Sequence, residues 1–286
     1  MQDVSWGLRL GALVLVGLAL GVAVALGRLL RMSRRQKKLL LKRHVRRFWR
    51  RLEERGLVEP NPPLIRDYHR LYPELALLER HFEVIREECL ELMRARERIP
   101  HIRQSGGQYT TRGIHEREWR TFMLKAGRFL DGNCARAPET ARLLRRIPGV
   151  ETAFFSILGP HQHLRAHWGY YKGFLRYHLG LVVPNDNRDG RCWLRVNDDR
   201  AAYDRRIKSV IEETPRYHWH EGEGVVFDDT FLHDAANESD APRAVLFLDL
   251  VRPLPWYLHL ANRAFIRLAR FDPSLRSIHQ DAVMRD

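Results

Sequence analysis

The sequence predicts a mainly β core that is preceded by a transmembrane helix and flanked by α-helices. From Val150 onward, turn residues separate short apolar runs, which read AFFSILGP, FLRYHLGLVVPNDNRDGRCWLRV, GEGVVFDDTF and RAVLFLDLVRP. Such runs at short intervals are typical of a β sandwich or barrel. An uncharged stretch near the N-terminus and a segment with helical spacing at 64–99 supply the remaining elements.

A chain of 286 residues can form one catalytic-sized domain with accessory segments. We expect five segments along the chain: a transmembrane anchor at 1–31, a basic amphipathic helix at 32–58, a helical module at 64–145, the β core at 146–253 and a C-terminal helical segment at 254–286.

The stretch Leu10–Gly27 (LGALVLVGLALGVAVALG) carries no charge and is just long enough to cross a bilayer as a helix. A cleaved signal peptide would have its basic residues before the apolar run, whereas here nearly all of them follow it. A buried core helix is the other alternative, but no polar face interrupts the run. Two GxxxG spacings, from Gly7 to Gly11 and from Gly17 to Gly21, could pair two anchors in a dimer.

Arginine and lysine dominate residues 28–51, directly after the apolar run. The positive-inside rule therefore predicts a single-pass protein of the inner membrane whose remaining chain faces the cytoplasm. Leucine and aromatic residues recur among these charges, which indicates a helix lying on anionic headgroups. The net charge of +14 could also suit a nucleic acid, but the chain contains no zinc-finger, helix-turn-helix or RNA-recognition motif, and we predict no nucleic-acid partner.

Three widely spaced cysteines, Cys89, Cys134 and Cys192, encode neither a disulfide framework nor a zinc cage. They are consistent with a reducing cytoplasm.

Four histidines lie within the stretch 161–180, HQHLRAHWGYYKGFLRYHLG. Their Tyr, Phe, Leu and Trp neighbours suggest strands, and neutral imidazole is the commonest protein ligand of a transition metal. A single histidine on an apolar strand is more often a packing residue, but several converging imidazoles need partners. Downstream, His233 follows one strand-like run and Arg243 begins another, as expected where a barrel collects ligands from different strands. An arginine at a barrel mouth suits a carboxylate.

Two segments, SILGPHQHLRAHWGYYKGFLRYHLGLVVP and EGEGVVFDDTFLHDAANESDAPRAVLFLDLVRP, closely resemble the aspartyl/asparaginyl β-hydroxylase family of Fe(II)- and 2-oxoglutarate-dependent dioxygenases. The resemblance spans roughly Trp119 to Pro253. It implies a double-stranded β-helix, a jelly-roll of the cupin type. It also implies Fe(II), 2-oxoglutarate and O2 as cofactor and cosubstrates, with oxidative decarboxylation of 2-oxoglutarate driving hydroxylation of an unactivated C–H bond.

The resemblance carries the family's two iron ligands onto His167 and His233. It carries the cosubstrate-binding positions onto four further residues: Arg176 and His178 for the carboxylate near the metal, and Arg243 and Ser156 for the far carboxylate. We expect the other clustered histidines, among them His161, His163, His218 and His220, to have packing or surface roles.

The metal site departs from the usual triad of two histidines and one carboxylate. Gly169 stands two residues after His167, where the triad would place an aspartate, and a water would fill that position. This replacement is typical of the family's peptide-hydroxylating members, whereas its lipid-modifying branch tends to keep the aspartate. Asp228 or Asp229 could be the missing ligand, but we expect them to orient the histidines by hydrogen bonding.

Three functions remain open at this stage. The order of anchor, basic helix and core is similar to that of membrane-bound family members that hydroxylate acyl chains of lipid A, and this layout favours a membrane-lipid substrate. The second alternative is hydroxylation of Asp or Asn in a protein, and the third is a non-catalytic barrel that binds a ligand. The segment 185–220 is rich in charge, and we expect its later part, residues 197–220, to extend a rim of the active site that helps to choose the substrate.

Overall fold

The computed structural model describes residues 31–94, 98–102, 118–169, 171–199, 207–271 and 282–284. The predicted transmembrane segment Leu10–Gly27 lies outside these ranges. Within them, none of the helices combines the length and the apolar character that crossing a bilayer would need. The chain divides into two compact units, residues 1–51 and residues 52–286.

The basic helix spans Arg34–Glu54, and residues at its two ends determine where it begins and where it stops. At its start, Ser33 and Gln36 each bond the other's backbone N–H through their side chains, which is a capping box. At its end, Gly56 adopts φ 66°, and the N–H groups of Gly56 and Leu57 bond back to Glu53 and Leu52. This glycine cap ends the helix before the predicted boundary at residue 58.

Eleven strands are present in the described ranges, and they form two antiparallel sheets. A seven-stranded sheet has the order β1-β9-β6-β11-β4-β2-β3, and a four-stranded sheet has the order β5-β10-β7-β8. The strands are β1 (Leu64–Ile65), β2 (Trp119–Ala126), β3 (Arg128–Phe129), β4 (Val150–Leu158), β5 (Gln162–His167), β6 (Phe174–Val182), β7 (Cys192–Val196), β8 (Arg216–His218), β9 (Gly224–Phe227), β10 (His233–Asn237) and β11 (Arg243–Val251).

Helices flank the sheets on the N-terminal and C-terminal sides of the sequence. Besides the basic helix, the α-helices are Tyr68–Leu71, Ala76–Arg80, Phe82–Arg94, Asp131–Cys134, Pro138–Leu144 and Trp256–Ala269. Short 3-10 helices span Pro73–Leu75, Pro184–Asn187 and Ser209–Glu213. The mainly β core with flanking helices, predicted from the sequence, is therefore confirmed.

The period of two along each strand divides the large sheet into two faces. Its outer face, with residues such as Leu179, Leu246 and Phe155, packs with helix residues Leu78 and Ile85 in the main core. Its inner face meets the small sheet, and a second apolar cluster joins residues of both sheets, among them Val245, Phe227, Leu194 and Leu164. Side chains on the inner face are therefore shielded from water.

Two predicted segments need correction. The segment 64–145 is not wholly helical, because β2 and β3 at 119–129 join the large sheet, with β2 paired to β4. Pro100, Gly106 and Gly107 separate the helical pattern from β2 in the sequence, and the pairing of β2 with β4 shows that this part of the segment belongs to the sheet. The segment 197–220, predicted as a rim, is not only a rim, because it includes β8, which pairs with β7 in the small sheet.

Candidate functional site

Antiparallel register brings most of the predicted site residues onto the inner face of the large sheet. In β6 and β11, His178 is opposite Phe247, and Arg176 is opposite Asp249. In β4 and β11, Ser156 is opposite Val245. Cross-strand partners share a face, and so do residues two apart on one strand, so Arg243 lies on this face with Val245.

The two predicted metal ligands are direct cross-strand partners on the small sheet. His167 on β5 faces His233 on β10, with ring centroids 4.2 Å apart. A register shift falls between this pair and the next pair, Leu164 and Ala235. His167 comes three residues after Leu164, so strict alternation would place their side chains on opposite faces of β5. The β-bulge between them brings the His167 imidazole to the inner face, where Leu164 also lies.

Backbone carbonyls hold both imidazoles in one tautomer. The Nδ1 of His167 lies 2.9 Å from the carbonyl of Arg165, and the Nδ1 of His233 lies 2.9 Å from the carbonyl of Phe231. Nδ1 must carry the proton to donate these bonds, so the Nε2 lone pairs remain for a metal. Burial lowers the pKa of His167 to about 4 and also lowers the pKa of His233. Both rings are therefore neutral at physiological pH, the state in which imidazole binds metals.

The space beside Gly169 is taken by a carboxylate from another strand connection. A Cβ built on Gly169 would lie 2.4 Å from the carboxyl atoms of Asp229, and the Gly169 N–H donates to the Asp229 carbonyl at 2.7 Å. Asp229 thus occupies the space that an aspartate at residue 169 would need. Burial raises the pKa of Asp229 to about 6, against the opposing effect of Arg176.

Arg176 is paired with two carboxylates of the protein. Its guanidinium lies 3.1 Å from Asp229 and 3.1 Å from Asp249, and it stacks over the ring of Phe247 at 4.4 Å. Burial alone would lower the pKa of Arg176, but the two carboxylates raise it above its ordinary value. The structure therefore gives Arg176 protein partners of its own, in addition to the cosubstrate contact that the resemblance implies.

Asp228 has a structural role in the turn before β10. Its Oδ1 accepts bonds from the backbone N–H and the hydroxyl of Thr230, and its Oδ2 accepts one from Asn61. Asp228 therefore stabilises the turn. Of the two aspartates, it is Asp229 whose carboxyl lies beside Gly169. Within the described ranges, no three His, Cys, Asp or Glu side chains converge as a ready metal cage.

His178 and Arg243 form a buried polar pocket in which several nitrogen atoms lack hydrogen-bond partners among the described residues. Neither ring nitrogen of His178 has a hydrogen-bond partner in the described part of the chain, and neither does Nε of Arg243. Burial, followed by the charges of Arg176 and Arg243, lowers the pKa of His178. Burial likewise lowers the pKa of Arg243 to about 10. A buried cation beside unpartnered donors is the arrangement expected where an anionic ligand belongs.

Further polar groups at this pocket were not predicted from the sequence. Trp219 stacks under the Arg243 guanidinium at 4.2 Å, and its indole nitrogen has no partner among the described residues. Thr121, opposite Ser156 on β2, has a buried hydroxyl that is unpartnered within the same ranges. Trp119 donates its indole N–H to the Ser156 hydroxyl at 2.9 Å. The order of these residues does not signal that they meet Arg243, because they come from β2, from β4 and from the segment between β8 and β9.

A continuous series of ring contacts connects the metal pair to the anion pocket. Phe227 contacts His233 at 5.8 Å and His178 at 5.1 Å, and His178 in turn lies 5.9 Å from Trp219. The structure thus brings the predicted metal ligands and the predicted cosubstrate residues into one cavity region between the sheets. His163, by contrast, bonds Asp234 on the outer face of the small sheet, in keeping with a packing role.

The fold and this site define a class, a β-sandwich protein with a histidine pair beside an anion pocket, and comparison with known proteins identifies the family. The family model for aspartyl/asparaginyl beta-hydroxylase matches residues 79–253. The chain belongs to the aspartyl/asparaginyl beta-hydroxylase family, and it is therefore a member of a hydroxylase family.

Two curated relatives illustrate the range of the family. The chain is 34% identical over 206 residues to the ornithine lipid ester-linked acyl 2-hydroxylase of Rhizobium tropici, a match covering 72% of this chain and 66% of that protein. It is 27% identical over 194 residues to the human aspartyl/asparaginyl beta-hydroxylase, a match covering 64% of this chain and 22% of that protein. The match thus spans just under two thirds of the first relative and about a fifth of the second.

Among solved structures, a prolyl-4-hydroxylase of Pseudomonas putida aligns with a TM-score of 0.35 and 15% sequence identity. That alignment covers 60% of this chain and 88% of the other.

Proposed function

We propose that this protein is a membrane-anchored Fe(II)- and 2-oxoglutarate-dependent dioxygenase that hydroxylates an acyl chain of a membrane lipid. The observation that carries the proposal is the pairing of two neutral, tautomer-fixed histidines with a buried, unpartnered arginine–histidine pocket. A metal ion would bind to the histidine pair, and a dicarboxylate would bind in the arginine–histidine pocket. From β4 to β11 successive strands change sheet at every step except from β7 to β8, which are paired in the small sheet, and this order supports the double-stranded β-helix of such enzymes.

The residues present fit this cofactor and cosubstrate. His167 and His233 would hold Fe(II) through Nε2, and the Asp229 carboxylate, which occupies the space beside Gly169, would be available as a hydrogen-bond acceptor for a water near them. His178 and Arg176 would contact one carboxylate of 2-oxoglutarate, and Arg243 with Ser156 would bind the other. When bound, iron and 2-oxoglutarate supply the oxidation: O2 converts 2-oxoglutarate to succinate and CO2, and one oxygen atom enters the substrate C–H bond.

The chain's own contribution is binding and exclusion of water. Burial between the sheets strengthens the attraction between Arg243 and a carboxylate, because few water molecules compete for the guanidinium. Phe227, between His233 and His178, fills the space that links the two halves of the site with an apolar ring. The backbone bonds to Nδ1 fix both metal-binding rings before any ligand arrives, which reduces the entropy lost on binding.

Two observations favour a lipid substrate. The relative at 34% identity, which aligns with 72% of this chain, acts on an acyl chain of ornithine lipid. The basic helix carries no acidic residue in its first turn and is rich in Arg and Lys, which suits anionic headgroups. With the predicted anchor Leu10–Gly27, these features support a single-pass location in the inner membrane with the β domain in the cytoplasm, and the GxxxG spacings support an anchor-mediated dimer.

Hydroxylation of Asp or Asn in a protein is the second candidate. Gly169 favours it, because loss of the third carboxylate is typical of the family's peptide-hydroxylating members. The human relative's name refers to that activity, but the identity there is 27%.

The test uses purified full-length protein with Fe(II), 2-oxoglutarate and O2. We expect succinate release, and a gain of one oxygen atom on an acyl chain when membrane lipids are supplied, both measured by mass spectrometry. Oxygen gain on peptide Asp or Asn, with none on lipid, would replace the lipid substrate by the protein substrate. No succinate under any condition, despite bound metal, would leave a non-catalytic ligand-binding barrel.

A further inference from the structure

The helix Trp256–Ala269, called the C-terminal helix below, presents an exposed apolar face. Trp256 is 76% exposed, Leu260 61%, Leu268 68%, and Phe271 just after the helix is 70% exposed. Large apolar side chains this exposed, contiguous on one element, mark an interaction surface.

The same face is basic. From Trp256 to Phe271 the sequence includes three arginines and no Asp or Glu, and Arg270 is paired with Glu151. Arg263 and Arg267 follow Trp256 and Leu260 at helical intervals of seven, so these four residues lie on one side of the helix. Aromatic and aliphatic side chains beside arginines match the composition of helices that lie in the plane of an anionic membrane surface.

The opposite face of the helix is attached to the loop that leaves the metal-ligand strand. Asn262 donates to the Gly173 carbonyl at 2.9 Å, Tyr171 donates to the Asn262 side chain, and Phe265 stacks on Tyr171 at 4.8 Å. Gly169 and residues 171–173 belong to this connection, which follows His167. A position change of the helix would therefore act on the backbone next to the predicted metal site.

The last turn of the basic helix is attached to the same loop. Lys172 lies 2.8 Å from Glu53, and both side chains are largely buried. Lys172 also lies 3.7 Å from Asp228, which holds the turn before His233. Two separate helices thus meet the short connection between the two halves of the site.

We propose that the exposed face of the C-terminal helix is a second membrane-contact surface, specific for an anionic phospholipid bilayer, that holds residues 171–173 at the headgroup boundary. The helix has 14 residues and is about 21 Å long, so it lies on a bilayer and does not cross it. The role of this surface in presenting an acyl chain to the site rests on the proposed function.

The first experiment locates the helix in the full-length protein without using activity. The native cysteines Cys89, Cys134 and Cys192 are buried, so an environment-sensitive fluorophore can be attached selectively to Leu260→Cys. The matched control is Arg188→Cys. Arg188 is exposed and follows the C-terminal end of β6, whereas Gly173 precedes the N-terminal end of that strand. Each labelled protein is reconstituted in vesicles of brominated phosphatidylcholine, alone or mixed equally with brominated phosphatidylglycerol.

We expect the Leu260 label to shift to shorter wavelength and to be quenched at least about twofold in the mixed vesicles, with less quenching in phosphatidylcholine alone or at high salt. The Arg188 label should show neither change. Equal signals from the two labels would overturn the proposal. A Leu260 label that is already shielded before lipid is added would also overturn it, because another segment of the chain would then cover the face. Shielding that rises with protein concentration would overturn it as well, because a second copy of the protein would then cover the face.

The second experiment tests the role in substrate delivery. Leu260→Glu with Leu268→Glu should leave succinate release in the absence of lipid unchanged and lower hydroxylation of vesicle lipid by roughly tenfold or more, because substrate concentration at the site falls. The same variant should act normally on lipid dispersed in detergent, and Arg188→Glu should have no effect on either substrate. Loss of activity on both forms of lipid, or on neither, contradicts the proposal. If the wild type releases no succinate, the proposed function fails while the vesicle quenching still decides the membrane contact.

Discussion

At the scale of single residues, Arg243 is a buried cation whose burial is costly. It is 2% exposed and its Nε has no hydrogen-bond partner among the described residues, and a buried guanidinium without compensation is strongly unfavourable. Burial lowers its pKa to about 10, which reflects the same cost. A side chain that destabilises the free protein in this way is expected to be stabilised by its ligand.

Replacement of Arg243 should separate stability from binding. Arg243→Lys keeps the charge but loses the planar fork, so affinity for 2-oxoglutarate should fall by roughly 1 to 3 kcal/mol. Arg243→Met should match or exceed the wild type in thermal stability without ligand, and 2-oxoglutarate should no longer raise its melting temperature. Calorimetric titration and thermal unfolding measure the two effects. An unchanged affinity in the Lys variant would refute the assignment, and Ser156→Ala should show a smaller loss in the same direction.

The histidine pair should be required for metal binding and dispensable for folding. His167→Ala and His233→Ala each remove one of two protein ligands, so we expect both to lose tight binding of Fe(II) or Mn(II) and to lose 2-oxoglutarate turnover. Circular dichroism should remain that of the wild type. His220→Ala is the control, since this histidine is exposed and lies outside the site. Near-normal metal affinity in either ligand variant would contradict the assignment.

At the scale of elements, β6 is the strand on which the large sheet's side of the site depends. It carries Arg176 and His178 on the inner face and pairs with both β9 and β11. Two residues later, Gly180 lets the chain pass close to the segment before β9. A Cβ on Gly180 would lie 2.1 Å from the His220 carbonyl oxygen, which is backbone and cannot rotate away.

Gly180→Ala should therefore destabilise the protein by overpacking, by about 1 to 3 kcal/mol. Because the strand must shift to relieve the clash, affinity for 2-oxoglutarate should fall with it. Urea denaturation and titration measure the two quantities. Gly132→Ala is the matched control, because its added Cβ would meet Val283 at an ordinary 3.5 Å. Equal stability of the two variants would show that the β6 backbone tolerates a side chain here.

The outer face of the small sheet is stabilised by a buried carboxylate. Asp234 on β10 lies 2.6 Å from Arg195 on β7 and 2.8 Å from His163 on β5. Burial would raise the pKa of Asp234, but hydrogen bonds from His163 and Arg195 outweigh it and lower the pKa below its ordinary value. A carboxyl with a lowered pKa in the folded state stabilises the fold above the unfolded pKa, and this contribution is lost as pH falls through the folded pKa.

Asp234→Asn should lower the free energy of unfolding at pH 7 by on the order of 3 kcal/mol. The difference from the wild type should shrink below about pH 4, where the unfolded carboxyl becomes protonated. Asp240→Asn is a close match, since Asp240 also pairs with one histidine and one arginine but is 81% exposed. We expect it to change stability by less than about 1 kcal/mol. A pH-independent effect of Asp234→Asn would exclude this electrostatic account.

At the scale of the whole molecule, the unit of residues 52–286 contains both sheets and their helices. A chain starting at Leu52 keeps Glu53 for Lys172 and keeps the buried side chains of Leu52 and Val58. A chain starting at Pro60 loses all three. Residues 52–59 therefore belong to the compact unit, ahead of the proline-rich stretch 60–63 (PNPP).

We expect the chain that starts at Leu52 to unfold cooperatively and to be stabilised by 2-oxoglutarate with Mn(II). The chain that starts at Pro60 should be less stable by roughly 2 to 5 kcal/mol, combining a lost charged hydrogen bond with lost apolar burial. Denaturant unfolding of both chains measures the difference. Glu53→Gln in the longer chain isolates the ion pair, and equal stability of all three proteins would mean that residues 52–59 add nothing to the fold.

The sequence by itself determined the class of the core and the residue types of the site. Alternating and continuous apolar runs from Val150 onward specify strands because a sheet buries every second side chain, or all of them. The same local signals specify the ends of the basic helix, since Ser33, Gln36 and Gly56 act on their own neighbours. The family motifs fixed His167, His233 and Arg243 as the residues of interest.

Only the tertiary structure decided how these residues meet. The bulge between the His167–His233 and Leu164–Ala235 pairs turns His167 inward, and strand alternation alone would have pointed it outward. Asp229 takes the space beside Gly169, although 60 residues of chain separate the two. Trp219 under Arg243 has no sequence signal either. Local propensity acts over a few residues, whereas register and the packing of two sheets depend on pairings between distant segments, and the site is built from those pairings.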